Sequence, residues 1–469
     1  MDGKIVENGC VLTMSRGESE KVYPDGAVRI DGNEIAAVGP RSEISDDGAD
    51  VIDADGGIIM PGLINGHNHY EQSFMKAITR LYTGTTYEWI NNLKIPITSE
   101  MTADDYYLSN ALTCLEMIKS GVTCSVNHLC QHNPDTIESY GIAESMRAIE
   151  DAGVRTVVPI GVADTFEAEE NLTDPERFER LLRDTFEQWH KSADGRIRVW
   201  PGPAGVFSAT DEMWDVATDL AAEYDTGIHT HLATAEHGEV AVFEEYDALS
   251  ERLVGAHCVW LSDSELTTMA ANDVKTVHNP TYKLGYAVDS EVEEYGDGIA
   301  PMTDYLSKGG TVGLGQDGCM GDTQDMFKEM RVFAFTQHYK YRDKELYPPS
   351  KLLELATIEC AKALHWDDDI GSLEPGKKAD LIVLDMDELK FVPKLNELAN
   401  IVYQATAEDV ETVLINGEIV MADRTIQTLD ESTLKSDAQQ AADDLLTRAG
   451  VADLFEKGVD PWESGHSFE

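Results

Sequence analysis

Short apolar runs alternate with amphipathic stretches through the middle of the chain, and this alternation predicts a parallel barrel. Amphipathic helical patterns lie between the apolar runs, for example at 103–119, 175–191 and 211–224. Strands that alternate with helices in this way are typical of a (β/α)₈ TIM barrel, an α/β fold whose reactive groups lie at the C-terminal ends of the strands. The candidate barrel strands are 57–64, 121–127, 153–160, 197–202, 226–232, 254–259, 274–278 and 310–317.

Both flanks of this region are β-rich. A turn at Asp31-Gly32-Asn33 separates two alternating apolar and polar runs near the N-terminus, and Asn416-Gly417 does the same towards the C-terminus. The economical interpretation is one small sandwich assembled from both ends of the chain. The predicted units are a composite β-sandwich of 1–60 and 368–430, a barrel of 61–367, and a tail of 431–469 that is acidic and helical at first.

Composition bounds the class of protein. Hydrophobic residues make up 42% of the 469 positions, which is enough for a large core. No run of about 18 uncharged apolar residues is present, so we expect no membrane span, and the N-terminus lacks the pattern of a secretory signal. The seven cysteines form no Cys-x-x-Cys pair, which favours reduced thiols over disulfides or thiolate-bound zinc. We therefore expect a cytoplasmic protein.

The chain is strongly acidic, with 87 acidic and 36 basic residues and a formal net charge of −51. A nucleic-acid-binding protein needs a basic surface, so a polyanionic partner is disfavoured, and we expect no membrane partner either. Acidic runs such as 367–369 are best interpreted as solvated surface. The pattern favours a halophile's protein that acts on a small molecule, and it leaves a homo-oligomer open.

Histidines and one aspartate stand where the predicted barrel strands end. His67 and His69 follow an apolar run, and because side chains alternate along an extended chain, both imidazoles point to the same side. A second His-x-His pair ends in His231, His257 lies in a later predicted strand, and Asp317 ends the last one. A single buried histidine is usually a core residue. Several such groups from different strand ends instead offer a divalent cation a suitable set of ligands, with one position open for water.

Segments that run in order along nearly the whole chain carry a resemblance to a known family. They resemble the amidohydrolase superfamily, and more narrowly its branch of triazine hydrolases, guanine and cytosine deaminases, and S-adenosylhomocysteine/methylthioadenosine deaminases. As a set these segments are highly specific. They are NGCVLTM (8–14), PGLINGHNH (61–69), EMIKSGVT (116–123), HTHLA (229–233), AHCVWL (256–261), VHNPTYKLG (277–285), GIAPM (298–302), VGLGQDG (312–318) and SLEPGKKADLIVLD (372–385).

The resemblance implies the barrel, the composite sandwich, one divalent metal ion and hydrolysis by an activated water. It implies His67, His69, His231 and Asp317 as metal ligands, with zinc as the first choice of metal and iron as the alternative. His229 would then be a neighbour of the metal rather than a ligand. Asp317 would also accept a proton from the attacking water. No lysine stands in a context typical of a carbamylated bridging ligand, which disfavours a two-metal centre.

The resemblance also implies roles around the metal. His257 would orient the water and stabilise charge as the tetrahedral intermediate forms. His278 would brace the loop before Pro280. Trp89 aligns with a tryptophan near the pocket mouth and is a candidate substrate-binding residue, although a packing role suits a tryptophan at least as well.

The sequence departs from the family after the fifth barrel strand. Most members of this branch have a proton-donating glutamate three residues after the metal histidine, and here Thr234 occupies that place as a candidate substrate-binding residue. A hydroxyl cannot shuttle protons as a carboxylate does. Either Glu236 supplies the acid from a reshaped loop, or the substrate is of another type; Glu236 is also an ordinary acid for the first turn of a helix. A second departure is Gln316, which could alter the hydrogen bonds behind Asp317.

The leading hypothesis is hydrolytic removal of an exocyclic group, usually ammonia, from a nitrogen heterocycle. The substrate would be an adenosine thioether, another purine or pyrimidine, or a triazine, so the reaction is deamination or dechlorination. The alternative is hydrolysis of a cyclic or linear amide, a carbon–nitrogen bond other than a peptide bond. A metal-binding protein without catalysis is a third interpretation, which His257 beside the ligands disfavours. The substrate, the proton donor, the metal and the oligomeric state stay open.

The charge balance predicts a fold that depends on salt. Repulsion within an acidic surface destabilises the compact state, and screening shortens its range from about 30 Å at 0.01 M salt to about 3 Å at 1 M. We expect the midpoint of thermal unfolding, followed by circular dichroism, to rise between low and molar sodium chloride. Potassium chloride is the matched control and should act alike. An unchanged or lower midpoint in molar salt would contradict the halophile hypothesis.

Overall fold

The structure is a computed structural model of the chain. The residues that it describes are 3–17, 21–76, 86–130, 133–165, 169–234, 238–285, 298–318 and 322–452.

Strands of the described residues are labelled here in chain order. They are β1 (Gly3–Leu12), β2 (Val22–Asp31), β3 (Glu34–Pro40), β4 (Asp50–Asp53), β5 (Ile58–Pro61), β6 (Leu63–Asn65), β7 (Val122–Val126), β8 (Leu129–Cys130), β9 (Arg155–Gly161), β10 (Ile197–Pro201), β11 (Ile228–Leu232), β12 (Leu253–His257), β13 (Lys275–His278), β14 (Thr311–Leu314), β15 (Leu381–Leu384), β16 (Val410–Ile415), β17 (Glu418–Ala422) and β18 (Thr425–Ile426).

Helices fill the intervals between the barrel strands and follow them. Several begin with the signals that the sequence carries: Thr102 and Asp105 form a reciprocal capping box at the start of one helix. None of the helices in the described ranges combines the length and the apolar character that a bilayer span needs. The α-helices are Thr86–Trp89, Ile95–Ser99, Ala103–Lys119, Pro134–Thr136, Ile142–Ala152, Pro175–Trp189, Ser192–Gly195, Asp211–Glu223, Glu239–Glu245, Asp263–Ala271, Pro280–Gly285, Met302–Ser307, Met326–Tyr341, Pro349–Leu355, Ile358–Ala363, Glu397–Gln404 and Glu431–Arg448.

Two parallel sheets make up the barrel, which confirms the predicted fold class. One has the order β10-β9-β7-β6 and the other β11-β12-β13-β14. Main-chain hydrogen bonds join the two sheets at both seams. The N–H of Asp317 donates to the carbonyl of His67 at 2.8 Å, and the N–H of His231 donates to the carbonyl of Ala204 at 3.2 Å. The ring of strands is therefore closed, and its C-terminal ends share one mouth.

The predicted single strand at 57–64 is wrong, because the chain forms β5 and β6 there instead. Gly62 separates the two strands, and its N–H donates to the carbonyl of Asp380 at 3.1 Å. A Cβ at Gly62 would lie 2.0 Å from Thr123 Oγ1, so only glycine fits where the chain crosses from one unit to the other. As a result β5 pairs with β1 and β15, while β6 pairs with β7.

Strands from both ends of the chain join in one nine-stranded sheet outside the barrel. Its order is β18-β17-β16-β15-β5-β1-β2-β3, with β4 paired to β1. Its two tight turns pack against each other: Gly417 has a φ of 79°, and a Cβ there would lie 2.3 Å from the carbonyl oxygen of Gly32. The sheet therefore needs the N-terminal and C-terminal segments together.

A buried ion pair joins this sheet to the barrel. Arg155 begins β9, and its guanidinium donates to both carboxylate oxygens of Asp380, at 2.6 and 3.0 Å. The same carboxylate accepts the N–H of Asn416 at 2.7 Å. Both charged side chains are almost fully buried, so each charge depends on the other for its solvation.

Removal of the carboxylate from this pair is expected to destabilise the protein. We predict that Asp380→Asn lowers the free energy of unfolding by about 3–5 kcal/mol, because the Arg155 charge would stay buried without a partner. The matched control is Asp225→Asn, which removes an exposed partner of Arg252 and should cost no more than about 1 kcal/mol. Urea unfolding at constant high salt measures both. Equal effects of the two substitutions would refute the structural role of the buried pair.

Candidate metal centre

The residues that the sequence singles out as metal ligands lie together at the C-terminal mouth of the barrel. His67 and His69 follow β6, His231 lies in β11, and Asp317 follows β14. His67, His69 and Asp317 are buried, and His231 is half-buried. Parallel strands of a barrel end at the same rim, so side chains from three strands meet there although they are far apart in the sequence.

These four side chains surround one point. Asp317 Oδ1 lies 3.3 Å from His67 Nε2 and 3.4 Å from His69 Nε2. His231 Nε2 lies 3.3 Å from His69 Nε2. Tetrahedral ligands at about 2.0–2.2 Å from a zinc-sized ion stand about 3.3–3.6 Å from one another. The spacing of these atoms therefore suits one small divalent ion.

Hydrogen bonds fix which ring nitrogen faces that point. His69 Nδ1 lies 2.7 Å from the carbonyl of His128, and His231 Nδ1 lies 2.6 Å from the carbonyl of Ala204. A carbonyl oxygen only accepts, so each Nδ1 carries the proton and each Nε2 presents its lone pair to the centre. His67 Nε2 is buried and has no hydrogen-bond partner, as expected of a nitrogen that faces a metal ion.

Burial also sets the charge of these imidazoles. It lowers the pKa of His69 well below its ordinary value, and the charges of His67 and Lys94 act in the same direction. Burial likewise lowers the pKa of His231 to about 3. Both rings are thus neutral near pH 7, which is the form that binds metal ions.

His229 stands behind the centre and contacts His67. Its Nε2 lies 2.8 Å from His67 Nδ1, and its side chain is fully buried. This contact uses the nitrogen of His67 that points away from Asp317, so it orients the ring and leaves Nε2 free for the centre.

His257 faces the second carboxylate oxygen of Asp317. Its Nε2 lies 3.9 Å from Asp317 Oδ2, whereas His67 and His69 face Oδ1. Asn279 Nδ2 lies 3.1 Å from His257 Nδ1, and His278 Nδ1 lies 2.9 Å from the carbonyl of His257. The last residue of β13 and the residue after it therefore hold the main chain and the ring of His257.

Two residues of the centre adopt a left-handed backbone. The φ angle is 74° at His257 and 73° at Asp317. Residues with a Cβ seldom adopt this region, and such strain concentrates at functional sites where the surrounding structure enforces it. The conformation turns each chain sharply at the end of its strand and aims both side chains into the mouth.

A buried carboxyl group supports the loop after β13. Glu329 lies in helix Met326–Tyr341 and accepts hydrogen bonds from the N–H and the hydroxyl of Thr281, the first at 3.1 Å. Burial raises the pKa of Glu329 to about 8. This clamp fixes the start of helix Pro280–Gly285, and with it the residues that hold His257.

Gln316 belongs to a buried network of amides behind the ligands. Its Oε1 accepts from Gln324 Nε2 at 2.6 Å, and Gln324 Oε1 accepts from Asn65 Nδ2 at 3.1 Å and from Asn68 Nδ2 at 2.8 Å. Asn65 Oδ1 also accepts the N–H of Gln316 at 3.0 Å. The network ties the segment that carries His67 to the residue that precedes Asp317.

Trp89 and Thr234, the two residues predicted on the substrate side, each have a buried polar atom without a hydrogen-bond partner. Trp89 is buried, and its indole nitrogen has no hydrogen-bond partner. Thr234 lies two residues after β11, and its buried hydroxyl also lacks a partner. Glu236 lies outside the described residues. Glu239, which sequence reasoning passed over, accepts the N–H of Ala233 at 2.8 Å. A carboxylate therefore does reach the end of β11, but from the following helix.

Sequence reasoning also missed His128 and Asn279. His128 directly follows the predicted strand 121–127, so the same strand-end rule that selected His67 would have found it. Asn279 lies in the HNP segment directly after His278, and its position next to that histidine was the available signal. His128 is fully buried beside the candidate ligands, and its ring centre lies 5.0 Å from that of His231.

Residues 58–420 match the model of the amidohydrolase family, which is well over half of the chain. The chain belongs to this family, and the resemblance inferred from its motifs is confirmed. It is therefore a hydrolase of the class that acts on carbon–nitrogen bonds other than peptide bonds, and its histidine-rich mouth suits a divalent metal.

Two curated relatives match over almost their full length. The 5'-deoxyadenosine deaminase of Methanosarcina barkeri is 31% identical over 95% of this chain and 99% of the relative. The 5-methylthioadenosine/S-adenosylhomocysteine deaminase of Thermoanaerobacter pseudethanolicus is 32% identical over the same shares.

Solved structures share the fold. The zinc complex of atrazine chlorohydrolase TrzN from Arthrobacter aurescens superposes with a TM-score of 0.84 at 22% identity, over 94% of this chain and all of that chain. An adenosine deaminase from Xanthomonas campestris with bound zinc gives 0.83 at 23% identity, over 95% of this chain and 98% of that one. At these identities the likeness establishes the architecture only.

Proposed function

We propose that the protein is a metal-dependent deaminase that hydrolyses the exocyclic amino group of an adenosine derivative with a modified 5′ position. The observation that carries the proposal is the convergence of His67, His69, His231 and Asp317 on one point, with His257 beside them. Full-length relatives with this activity in their names support the choice of substrate class.

The same four side chains are our proposed metal ligands. Zinc is the first choice, because neighbours with this fold were crystallised with it, and iron is the alternative. When bound, such an ion supplies Lewis acidity that makes water nucleophilic near neutral pH. The protein's part is to hold the ligand nitrogens deprotonated and aimed, which the carbonyls of His128 and Ala204 do.

Asp317 and His257 would manage the protons and the charge. Oδ1 of Asp317 faces His67 and His69, which leaves Oδ2 on the side of His257 to accept a proton from the attacking water. His257, held by Asn279, would donate a hydrogen bond to the oxygen that gains negative charge at the reacting carbon.

Trp89 and Thr234 are our proposed substrate-binding residues. The unpaired indole N–H of Trp89 and the unpaired hydroxyl of Thr234 are polar groups that a substrate could satisfy. Neither group can replace a glutamate as a proton donor at the leaving amine. We keep Glu236 as the proposed catalytic acid.

Hydrolysis of a cyclic or linear amide is the second candidate function. The observation that favours it is Thr234, since an amide can be opened without a glutamate at that position. It would use the same metal ligands and Asp317, and its product would be a ring-opened or shortened acid.

We extend the proposal to the cellular location of the protein and to the bounds of its domains. We propose a cytoplasmic enzyme, which the free thiols of the described cysteines support. We also propose 1–60 with 368–430 as the second domain and 431–469 as a tail, and the nine-stranded sheet supports the first assignment.

Product analysis tests the proposed reaction. We predict that the zinc-loaded protein in high salt converts 5′-deoxyadenosine, methylthioadenosine or S-adenosylhomocysteine to a product about 1 Da heavier, with release of ammonia. Asp317→Asn should lower kcat by about 100- to 10,000-fold, because it removes both a ligand charge and the proton acceptor. Mass spectrometry and an ammonia assay measure the outcome.

The matched control for this test is Asp225→Asn, an exposed aspartate that should leave kcat unchanged. A product about 18 Da heavier without ammonia, on cyclic amides, would move the assignment to amide hydrolysis. If purines, pyrimidines, triazines and amides all stay unchanged while metal is bound, the proposed function is wrong.

A further inference from the structure

His128 is an imidazole inside the metal cluster to which no role has been given. It follows β7 and is fully buried. Its ring centre lies 5.0 Å from that of His231, 5.6 Å from that of His69 and 5.8 Å from that of His67. The corresponding separations among those three rings are 4.9, 5.1 and 5.4 Å. His128 thus packs against the proposed ligands about as closely as they pack against each other.

One hydrogen bond fixes the tautomer of His128. Its Nε2 lies 2.9 Å from the carbonyl oxygen of Gly202. Because that oxygen can only accept, Nε2 carries the ring proton, and Nδ1 of the neutral ring carries a lone pair. This is the reverse of His69 and His231, whose Nδ1 atoms are protonated and whose Nε2 atoms are free.

The lone pair of His128 is not satisfied by the protein. Nδ1 is buried and has no hydrogen-bond partner. Nearly all buried polar atoms in folded proteins have one, so an orphaned imidazole nitrogen beside a metal centre calls for a ligand. A divalent cation is the ligand that neighbouring neutral imidazoles would share.

The donors of His128 lie close to those of the proposed ligands. One donor atom each of His67, His69 and His128 lie within 4.8 Å of one another. A second group of donors with the same spacing joins His128 to His231 and Cys130. His128 therefore reaches the ligands that come from β6 and from β11.

We propose that His128 is a fifth protein ligand of the metal, binding through Nδ1 to the same ion as His67, His69, His231 and Asp317. The inference rests on the proposed function only in taking that ion as given. Five protein donors, four of them imidazoles, would shift the choice of metal from tetrahedral zinc to an ion that accepts five or six ligands, such as iron(II) or cobalt(II).

X-ray absorption at the metal edge counts imidazoles directly. We expect four in the substrate-free protein loaded with one equivalent of cobalt(II), and three in His128→Asn. The matched control is His365→Asn, which alters a half-buried histidine whose Nε2 is also unpaired; that ring packs on Trp200 and lies outside the donor cluster. The control should keep four imidazoles.

Competition with a chelator gives a second readout. His128→Asn should weaken cobalt(II) binding by at least about tenfold, and His365→Asn should not. Three imidazoles in the unaltered protein would overturn the inference, even if the variant failed to fold. Four imidazoles without ammonia release would support His128 as a ligand and reject only the proposed reaction. Three imidazoles with ammonia release would reject His128 as a ligand and leave the proposed reaction standing.

Discussion

The main-chain hydrogen bond from the N–H of Asp317 to the carbonyl of His67 is the constraint on which the site depends. It closes the barrel between the first and the last strand, at 2.8 Å, and joins the residues that carry two of the proposed ligands. The Asp317 carboxylate is thereby held 3.3 Å from His67 Nε2. The proposed donor set does not exist until the barrel has closed, so we expect metal binding to be coupled to folding.

Hydrogen bonds behind the mouth of the barrel stabilise the strained backbone of two residues at the mouth. His257 and Asp317 hold a left-handed backbone that residues with a Cβ disfavour. Asn279 and Glu329 fix the segment that contacts His257, and Gln316 anchors the residue before Asp317. The cost of the two strained residues is thus offset by buried hydrogen bonds that lie outside the centre itself.

Sequence periodicity was enough for the barrel, because apolar strands and amphipathic helices differ locally. It was not enough at Gly62, where the division of one apolar run into two strands depends on Thr123 across the sheet. The two His-x-His pairs could be recognised in the sequence because each pair spans only three residues of the chain. The tautomers were not, because they depend on the carbonyls of His128 and Ala204 in other loops.

The sequence pattern alone does not identify the acid that would protonate the leaving group. Thr234 was readable as a departure from the family, but its consequence depends on which carboxylate reaches the end of β11. Glu239 does so through the N–H of Ala233, and its position three residues beyond Glu236 gave no local signal of that contact. Charge, in contrast, was readable at once, since it needs only a count.

Metal content is the measurement that tests the central claim most directly. The account predicts one divalent ion per chain, by inductively coupled plasma mass spectrometry, in protein prepared with zinc or iron in high salt. It also predicts loss of that ion when His67 and Asp317 are both replaced by alanine. If the metal content per chain is no higher in the unaltered protein than in the double variant, the result would contradict a metal centre at the mouth of the barrel.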